Sequence, residues 1–195
     1  MQYLFYLVAY LIGSISFSYI LVKIKSGEDV RDMGSKNAGG TNVLRNYGVA
    51  LGVATFLLDM AKGAIVAYLA KHFEIADPII SVFFAVVGHI YPFYLKFKGG
   101  KGVATTGGGM GFLYPNMFLV GCAIFFGISA ITGYVSLGSI SLMIYLLYLF
   151  IFVLKLTGFE LLFACLTVVL VIFKHRENIK RLINKSERSI YKGRK

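Results

Sequence analysis

Long apolar runs broken by short polar ones set the pattern of this chain. Seven runs, at about 3–23, 49–71, 78–96, 103–113, 115–132, 134–154 and 159–174, carry almost no charge. A helix needs about 20 mostly apolar residues to cross the hydrocarbon core of a bilayer, and all but one of the runs come near that length. The predicted fold is therefore all-α: a polytopic integral membrane protein with about seven transmembrane helices. The fourth run, 103–113, is short and rich in Gly. Either it crosses tilted or shielded by its neighbours, or 103–132 is one broken crossing and the count is six.

Composition supports the membrane reading. The 195 residues are 57% apolar and only 15% charged, with a mean hydropathy of +0.74. Such values exclude an ordinary soluble domain. A net charge of +11 on a soluble protein of this size would point to nucleic acid. Here the cations gather at the ends of apolar runs, where membrane proteins keep them on the cytoplasmic side, so no nucleic-acid partner is expected. No basic residue precedes the first run, Lys23 and Lys25 follow it, and no small-residue cleavage site is evident; this reads as a retained first helix rather than a signal peptide. Cys122 and Cys165 lie inside apolar runs without metal-type spacing. Neither a metal site nor a nucleotide cofactor is expected.

Charge also orients the chain. With the N-terminus outside and seven crossings, loop 24–48, loop 97–102 and the tail from Lys174, with the adjoining helix edges, put 17 of the 20 Lys and Arg in the cytoplasm. An odd number of crossings is needed to bring the basic tail to the side of the first two basic loops, which favours seven over six. The whole chain, 1–195, reads as a single membrane domain that ends in a basic cytoplasmic tail, 182–195, drawn to anionic lipid.

Three polar islands interrupt the hydrocarbon, and this topology places all of them on the inner face. Phe97-Lys-Gly-Gly-Lys-Gly102 lies between two apolar runs. Consecutive Gly residues let the backbone curl so that several N–H groups face one anion, and the helix beginning near Val103 adds its positive end. Lys101 supplies a full charge. The ordinary alternative is a basic cytoplasmic turn. Gly34-Ser-Lys-Asn-Ala-Gly-Gly-Thr-Asn42 is the second island, with Arg45 three residues beyond it. Thr41 or Asn42 is placed to cap a helix running through Arg45, whose planar fork suits phosphate oxygens. The third, His175-Arg-Glu-Asn-Ile-Lys-Arg-Leu182, continues the last apolar helix, and His175 and Asn178 share a face at a spacing of three. A basic segment attracted to lipid headgroups explains it equally well. Ser136 and Ser139, near the cytoplasmic start of the sixth run, either bond back to helix carbonyls or point toward the islands.

Within the runs, Asp59 and Lys62 stand three apart at a depth where ionisable groups are costly and usually paired inside the protein; a structural ion pair is the simpler reading. His89, in apolar surroundings before Pro92, reads as a satisfied interior histidine. Gly48/Gly52 and Gly107/Gly111 have the spacing that allows helices to approach closely.

The ordered set of segments carries a resemblance that no single one does. Gly34 to Asn42, Leu58-Asp-Met-Ala-Lys-Gly63, Gly88-His-Ile-Tyr-Pro92, Phe97-Lys-Gly-Gly-Lys-Gly-Val-Ala104, Tyr134-Val-Ser-Leu-Gly-Ser139 and His175 to Leu182 resemble, in order and spacing, the bacterial acyl-phosphate-dependent glycerol-3-phosphate acyltransferases. The resemblance runs from about Gly13 to Leu182. It implies a seven-helix enzyme of the inner membrane with its active site facing the cytoplasm. That enzyme transfers a fatty acyl group from acyl phosphate to the 1-hydroxyl of sn-glycerol 3-phosphate. Its products are lysophosphatidic acid and inorganic phosphate, at the first step of phospholipid biosynthesis. One departure is visible: the family often carries a basic residue just before Tyr-Val-Ser, and here that place is Gly133. His72 and Asp77 match the bare His-x4-Asp spacing of other acyltransferases, but they fall in the predicted external loop.

On this reading Lys101, His175 and Ser35 are the catalytic candidates. Asn37, Thr41, Asn42, Arg45, Gly99, Gly100, Gly102, Ser136, Ser139 and Asn178 are the substrate-binding ones. The implied partners are glycerol 3-phosphate, acyl phosphate, the lipid bilayer and, as a further candidate, a soluble enzyme that produces acyl phosphate. A transporter for a small phosphate compound is the main rival, and would favour broken helices and related halves; no internal repeat is visible. A metal-dependent phosphotransferase would need clustered Asp residues, and a purely structural protein leaves the islands without a purpose.

Overall fold

The computed structural model describes residues 1–191, in which every regular element is helical. Five stretches are long and apolar enough to cross a bilayer: Gln2–Ser26, Val49–His72, Pro78–Leu95, Pro115–Thr132 and Val135–Val153. Gly158–Lys174 with Arg176–Ile183 makes a sixth, bent by 52°. Helix 103–113, at 11 residues, is about 16 Å long at 1.5 Å per residue, roughly half the hydrocarbon thickness. The chain divides into two compact units, Met1–Leu113 and the part from Tyr114 onward.

In the first unit, helices α1 (Gln2–Ser14), α4 (Val49–His72), α5 (Pro78–Ile90) and α6 (Val103–Leu113) pack together, with the shorter α2 (Phe17–Ser26) and α3 (Gly40–Tyr47) beside them. The first apolar run is not the single helix its hydropathy predicts. It breaks at Ile15-Ser16, and side chains from elsewhere satisfy the groups released. Lys62 donates to the Ile15 carbonyl at 2.7 Å. The Tyr94 hydroxyl donates to the Ser14 carbonyl at 2.6 Å and accepts from the Ser16 N–H at 2.7 Å. An unsatisfied backbone group in hydrocarbon costs several kcal/mol, so these partners are what permit the break.

The core of this unit is small-residue packing. Phe5, Ala9, Val66, Ala70 and Ala85 form one buried cluster. Val22, Val30, Ala38 and Val43 form another beneath the polar loop 27–39. Helices α4 and α6 approach until only hydrogen fits between them: a β-carbon on Gly63 would lie 2.1 Å from the Thr105 carbonyl oxygen, and one on Gly108 would lie 1.9 Å from that of Met60. The predicted pairs did not identify this contact. Gly107 faces open space, as does Gly48, while Gly52 is pressed by Leu44 of α3. Spacing of small residues marks a face only when the partner helix lies against it, and α4 meets the neighbouring face of α6.

In the second unit, α7 (Pro115–Thr132), α8 (Val135–Tyr148) and α9 (Gly158–Lys174) pack in sequence, and α8 runs on as a wider π turn over Leu149–Val153. Helix α10 (Arg176–Ile183) leaves α9 at the bend, so the basic segment does not continue the last helix straight as expected. The tail beyond it is folded back rather than simply solvated. Ile190 N–H donates to the Gly133 carbonyl at 2.8 Å, and the Tyr191 hydroxyl donates to the Ala130 carbonyl. Glu187 is buried, and its carboxylate accepts from Ser136 Oγ (2.9 Å), Asn178 Nδ2 (2.7 Å) and Arg181 Nε (2.7 Å). The part of the predicted tail at 192–195 lies outside the described residues.

Two outcomes test this packing. Gly108→Ala is expected to lower stability by about 1–3 kcal/mol through overpacking, whereas Gly107→Ala is expected to be neutral or slightly stabilising; thermal unfolding in detergent distinguishes them. Burial pushes the Glu187 carboxyl up, but its bonds to Arg181, Asn178 and Ser136 outweigh burial and hold it below the ordinary glutamate range. A depressed folded pKa contributes stability that is complete above the unfolded value and lost as pH falls through the folded one. Protease cleavage of the tail is therefore expected to rise only on acidification below the usual glutamate pKa, and Glu187→Gln is expected to show that high cleavage already at neutral pH.

Candidate functional site

Two of the three polar islands meet in the first unit. The loop after α5 doubles back on its own helix end. Phe97 N–H donates to Pro92 O (3.0 Å), Gly99 N–H to Ile90 O (3.0 Å) and Gly100 N–H to His89 O (3.1 Å). Lys96 and Phe97 both take left-handed backbone angles (φ 55° and 59°), each costing about 1–2 kcal/mol in a residue with a β-carbon; the three backbone bonds offset this. Gly100 sits where no side chain fits, since a β-carbon there would come 2.0 Å from His89 Nε2 and 2.7 Å from the Ala38 carbonyl oxygen.

This geometry corrects one expectation. The N–H groups of Gly99 and Gly100 do not form an anion cradle, because both are committed to carbonyls of α5. The two glycines serve close approach instead, letting the loop pass between His89 and the Ala38 segment. Lys101 is half-buried immediately beyond, and Gly102, at φ 92°, turns the chain into α6. A helix start of this kind turns backbone N–H groups and a positive dipole end toward an anion.

The Gly34–Asn42 island is bound to this loop. Arg31, which sequence reasoning passed over, donates to both carboxylate oxygens of Asp29 (Nη2–Oδ2 2.6 Å) and to the Leu95 carbonyl oxygen at 2.7 Å. The Arg31 hydrogen bonds hold the Asp29 carboxyl below its usual range. Asn42 is buried and all its side-chain capacity is spent locally: Oδ1 accepts from Ser35 N–H (2.9 Å) and Asn46 Nδ2 (3.0 Å), while Nδ2 donates to Val30 O (3.0 Å) and Met33 O (3.1 Å). Asn42 thus shapes the loop and presents Ser35. Neither Thr41 nor Asn42 caps α3; Gly39 does, without a side-chain bond. Thr41 lies in the first turn, half-buried, with half-buried Arg45 one turn further along and Asn37 before Gly39. Ser35 is exposed.

Below these loops lies the ion pair expected from the spacing of Asp59 and Lys62. Lys62 Nζ is 3.0 Å from Asp59 Oδ1, and both side chains are almost completely buried. The approach angle makes this contact an ion pair rather than a directed hydrogen bond. His89 joins them, with Nδ1 2.9 Å from Lys62 Nζ.

The remaining candidates belong to the second unit. His175 occupies the bend between α9 and α10 and is 2% exposed. Its Nδ1 lies 2.8 Å from the Val171 carbonyl oxygen; a carbonyl only accepts, so Nδ1 carries the proton and a neutral ring has its lone pair at Nε2. Asn178 and Ser136 converge on Glu187, a residue no pattern in the basic tail had marked. Ser139 takes the other option open to it and donates to Val135 O at 2.8 Å. Gly133, where the resembling family often has a basic residue, is covered by the tail: a β-carbon there would lie 2.4 Å from Ser189 Oγ. The His-x4-Asp spacing has no catalytic form here. Asp77 caps α5 by accepting from Ile80 N–H at 2.9 Å, and His72 stacks on Tyr68.

Comparisons with known proteins agree with this arrangement of segments. A family described as glycerol-3-phosphate acyltransferase matches residues 3–185. A protein of that name from Geobacillus kaustophilus is 41% identical over 191 residues, 96% of this chain and 95% of the relative. One from Clostridioides difficile is 44% identical over 191 residues, 94% and 92% of the two chains. Among solved structures, PlsY (YgiH), described as an integral membrane glycerol 3-phosphate acyltransferase in its glycerol 3-phosphate form, has a TM-score of 0.87 at 39% identity, covering 96% of this chain and 94% of that one. Its lysophosphatidic acid form has a TM-score of 0.82 at 36% identity over 95% and 93%. With most of its length matched and its helices apolar enough to span a bilayer, this chain is a membrane protein that belongs to the glycerol-3-phosphate acyltransferase family.

Proposed function

We propose that this protein acylates glycerol 3-phosphate, taking the acyl group from acyl phosphate and releasing lysophosphatidic acid and inorganic phosphate. The observation that carries this reading is the junction of the two polar loops. Arg31 ties one to the carbonyl of Leu95 and Gly100 packs against Ala38, so that half-buried Lys101 and Arg45 stand on loops braced against each other. Two cations on rigid supports suit a reaction that must hold two phosphates against their mutual repulsion. The likeness to a protein solved with glycerol 3-phosphate and with lysophosphatidic acid supports the same acceptor and product.

Acyl phosphate is a mixed anhydride with a good leaving group, so positioning matters more than a strong nucleophile. Orientation alone can supply about 7–11 kcal/mol of barrier lowering. We assign the glycerol 3-phosphate phosphate and hydroxyls to Ser35, Asn37, Arg45 and Lys101 of the first unit; His175 and Asn178 of the second are carried as candidates from the sequence resemblance. Thr41 and Gly102 border these groups in sequence, Ser136 shares the Glu187 carboxylate with Asn178, Ser139 lies one turn along α8 from Ser136, and Gly99, Gly100 and Asn42 shape the loops. The 1-hydroxyl oxygen attacks the acyl carbon, the bond from that carbon to the phosphate oxygen breaks, and phosphate leaves with the electron pair. The hydroxyl proton passes to a substrate phosphate oxygen. No acyl-enzyme is formed.

The topology that accompanies this reading is seven segments in one membrane domain, in the inner membrane, with the N-terminus outside and the C-terminus and active site on the cytoplasmic side. Helix α6 is short, but its buried Thr105 and Thr106 and its close contact with α4 support a segment shielded from lipid, where reduced length is tolerated. A soluble enzyme that makes acyl phosphate is the natural source of the donor.

Two experiments test these assignments. Purified protein is expected to form lysophosphatidic acid from labelled glycerol 3-phosphate and acyl phosphate without divalent metal, and Lys101→Ala to lose at least about 100-fold in kcat while remaining folded; turnover only with acyl-CoA or Mg²⁺, or a Lys101→Ala enzyme within a few fold of wild type, contradicts the reading. In a background lacking Cys122 and Cys165, the substitutions Arg45→Cys, Lys101→Cys and Asn178→Cys are expected to react with an impermeant thiol reagent from the cytoplasmic side alone. Labelling from opposite sides contradicts the topology.

A further inference from the structure

The mechanism above makes no use of the buried Asp59, Lys62 and His89, yet these residues fix the position of a ring that touches the glycine loop. An ammonium has three hydrogens and no lone pair. Lys62 donates to the Ile15 carbonyl (2.7 Å), lies 2.9 Å from His89 Nδ1 and pairs as an ion with the Asp59 carboxylate at 3.0 Å. A charged Lys62 therefore requires Nδ1 to accept, which puts the ring proton of neutral His89 on Nε2. The opposite tautomer would need Nδ1–H to donate to Asp59 Oδ1, which is 3.5 Å away, outside the usual N–H···O range. An imidazolium would set N–H against N–H and one cation against another.

The far side of the ring faces the loop. His89 Nε2 and the Ala38 carbonyl oxygen both border the space where Gly100 would carry a β-carbon, and the backbone carbonyl of His89 accepts from Gly100 N–H. His89 itself is 6% exposed. We propose that His89 is a positioning residue for the acyl transfer: Lys62 holds it as the neutral Nε2–H tautomer, and its ring sets the height of Gly100 and hence the direction of Lys101. This rests on the reading of Lys101 as a ligand of substrate phosphate. The cluster then serves as a strut from the break in the first span, through α4, to the loop that carries Lys101, and misplacing such a group by about 1 Å can cost about 100-fold.

The test combines a spectroscopic readout with kinetics on the full-length protein in detergent. Ring ¹⁵N–¹H correlation spectra of ¹⁵N-histidine-labelled protein contain three histidines, assigned from His72→Gln and His175→Gln. His89 is expected as Nε2–H at neutral pH, and to lose that preference in Lys62→Met. In turnover, His89→Leu is expected to lose about 10- to 100-fold in kcat with a smaller change in either KM, and His89→Gln, which restores an N–H at the Nε2 place, to regain most of it. A His89 signal from Nδ1–H or imidazolium overturns the proposal, as does a folded His89→Leu enzyme with wild-type kcat, or a His89→Gln enzyme no better than His89→Leu. If His89→Leu fails to fold, the tautomer and the His89→Gln kinetics still decide. Should the wild type not use acyl phosphate, the functional reading fails, while the ring spectra still support or overturn the role given to Lys62 and His89.

Discussion

An ammonium group buried in a helix that crosses lipid has to find its acceptors inside the protein. Lys62 finds them on three separate segments: a carboxylate on its own helix, a ring nitrogen on α5 and a carbonyl at the break between α1 and α2. Each contact is a condition on where a backbone can run. The first span is broken where Lys62 and Tyr94 can satisfy the groups that the break releases, and α5 is set where His89 reaches Nζ. Removing one partner would leave a buried charge uncompensated, the costly case for ion pairs away from water.

Next to this node the loop 97–102 is held by backbone hydrogen bonds. Its glycines donate to the last carbonyls of α5 and pass against His89 and Ala38, while two non-glycine residues accept left-handed angles. A loop so constrained cannot fold itself around a ligand, and its rigidity is useful if Lys101 must meet phosphate in one geometry. Preorganised charge is worth more than mobile charge because no reorganisation is needed during reaction. Arg31 extends the same bracing to the neighbouring loop.

The second unit solves a similar problem with a carboxylate. Ser136 and Asn178, both expected to face substrate, bond to Glu187 of the folded-back tail. The tail also takes the space that a side chain at Gly133 would fill. Position 133 and the tail are therefore coupled: a larger residue there would displace Ser189 and Tyr191.

The amino-acid sequence by itself determined the helical segments, the clustering of cations on one predicted face and the identity of the polar islands. Hydropathy is summed over about 20 neighbouring residues, so α4, α6, α7 and α9 begin and end close to where the pattern puts them. It also marked the Asp59–Lys62 pair, because a spacing of three on a helix is local geometry. Tertiary structure alone decided the break at Ile15-Ser16, the bend at His175, the capping of α3 by Gly39, the glycines that α4 and α6 use for contact, and the commitment of the Gly99 and Gly100 N–H groups. Glu187 belongs with these, since nothing in a basic tail sets one carboxylate apart. The partners in these cases lie 47 residues apart for Lys62 and Ile15, 64 for Arg31 and Leu95, and 51 for Ser136 and Glu187. A hydrogen bond across such a separation depends on where two backbones meet, and no local pattern encodes that.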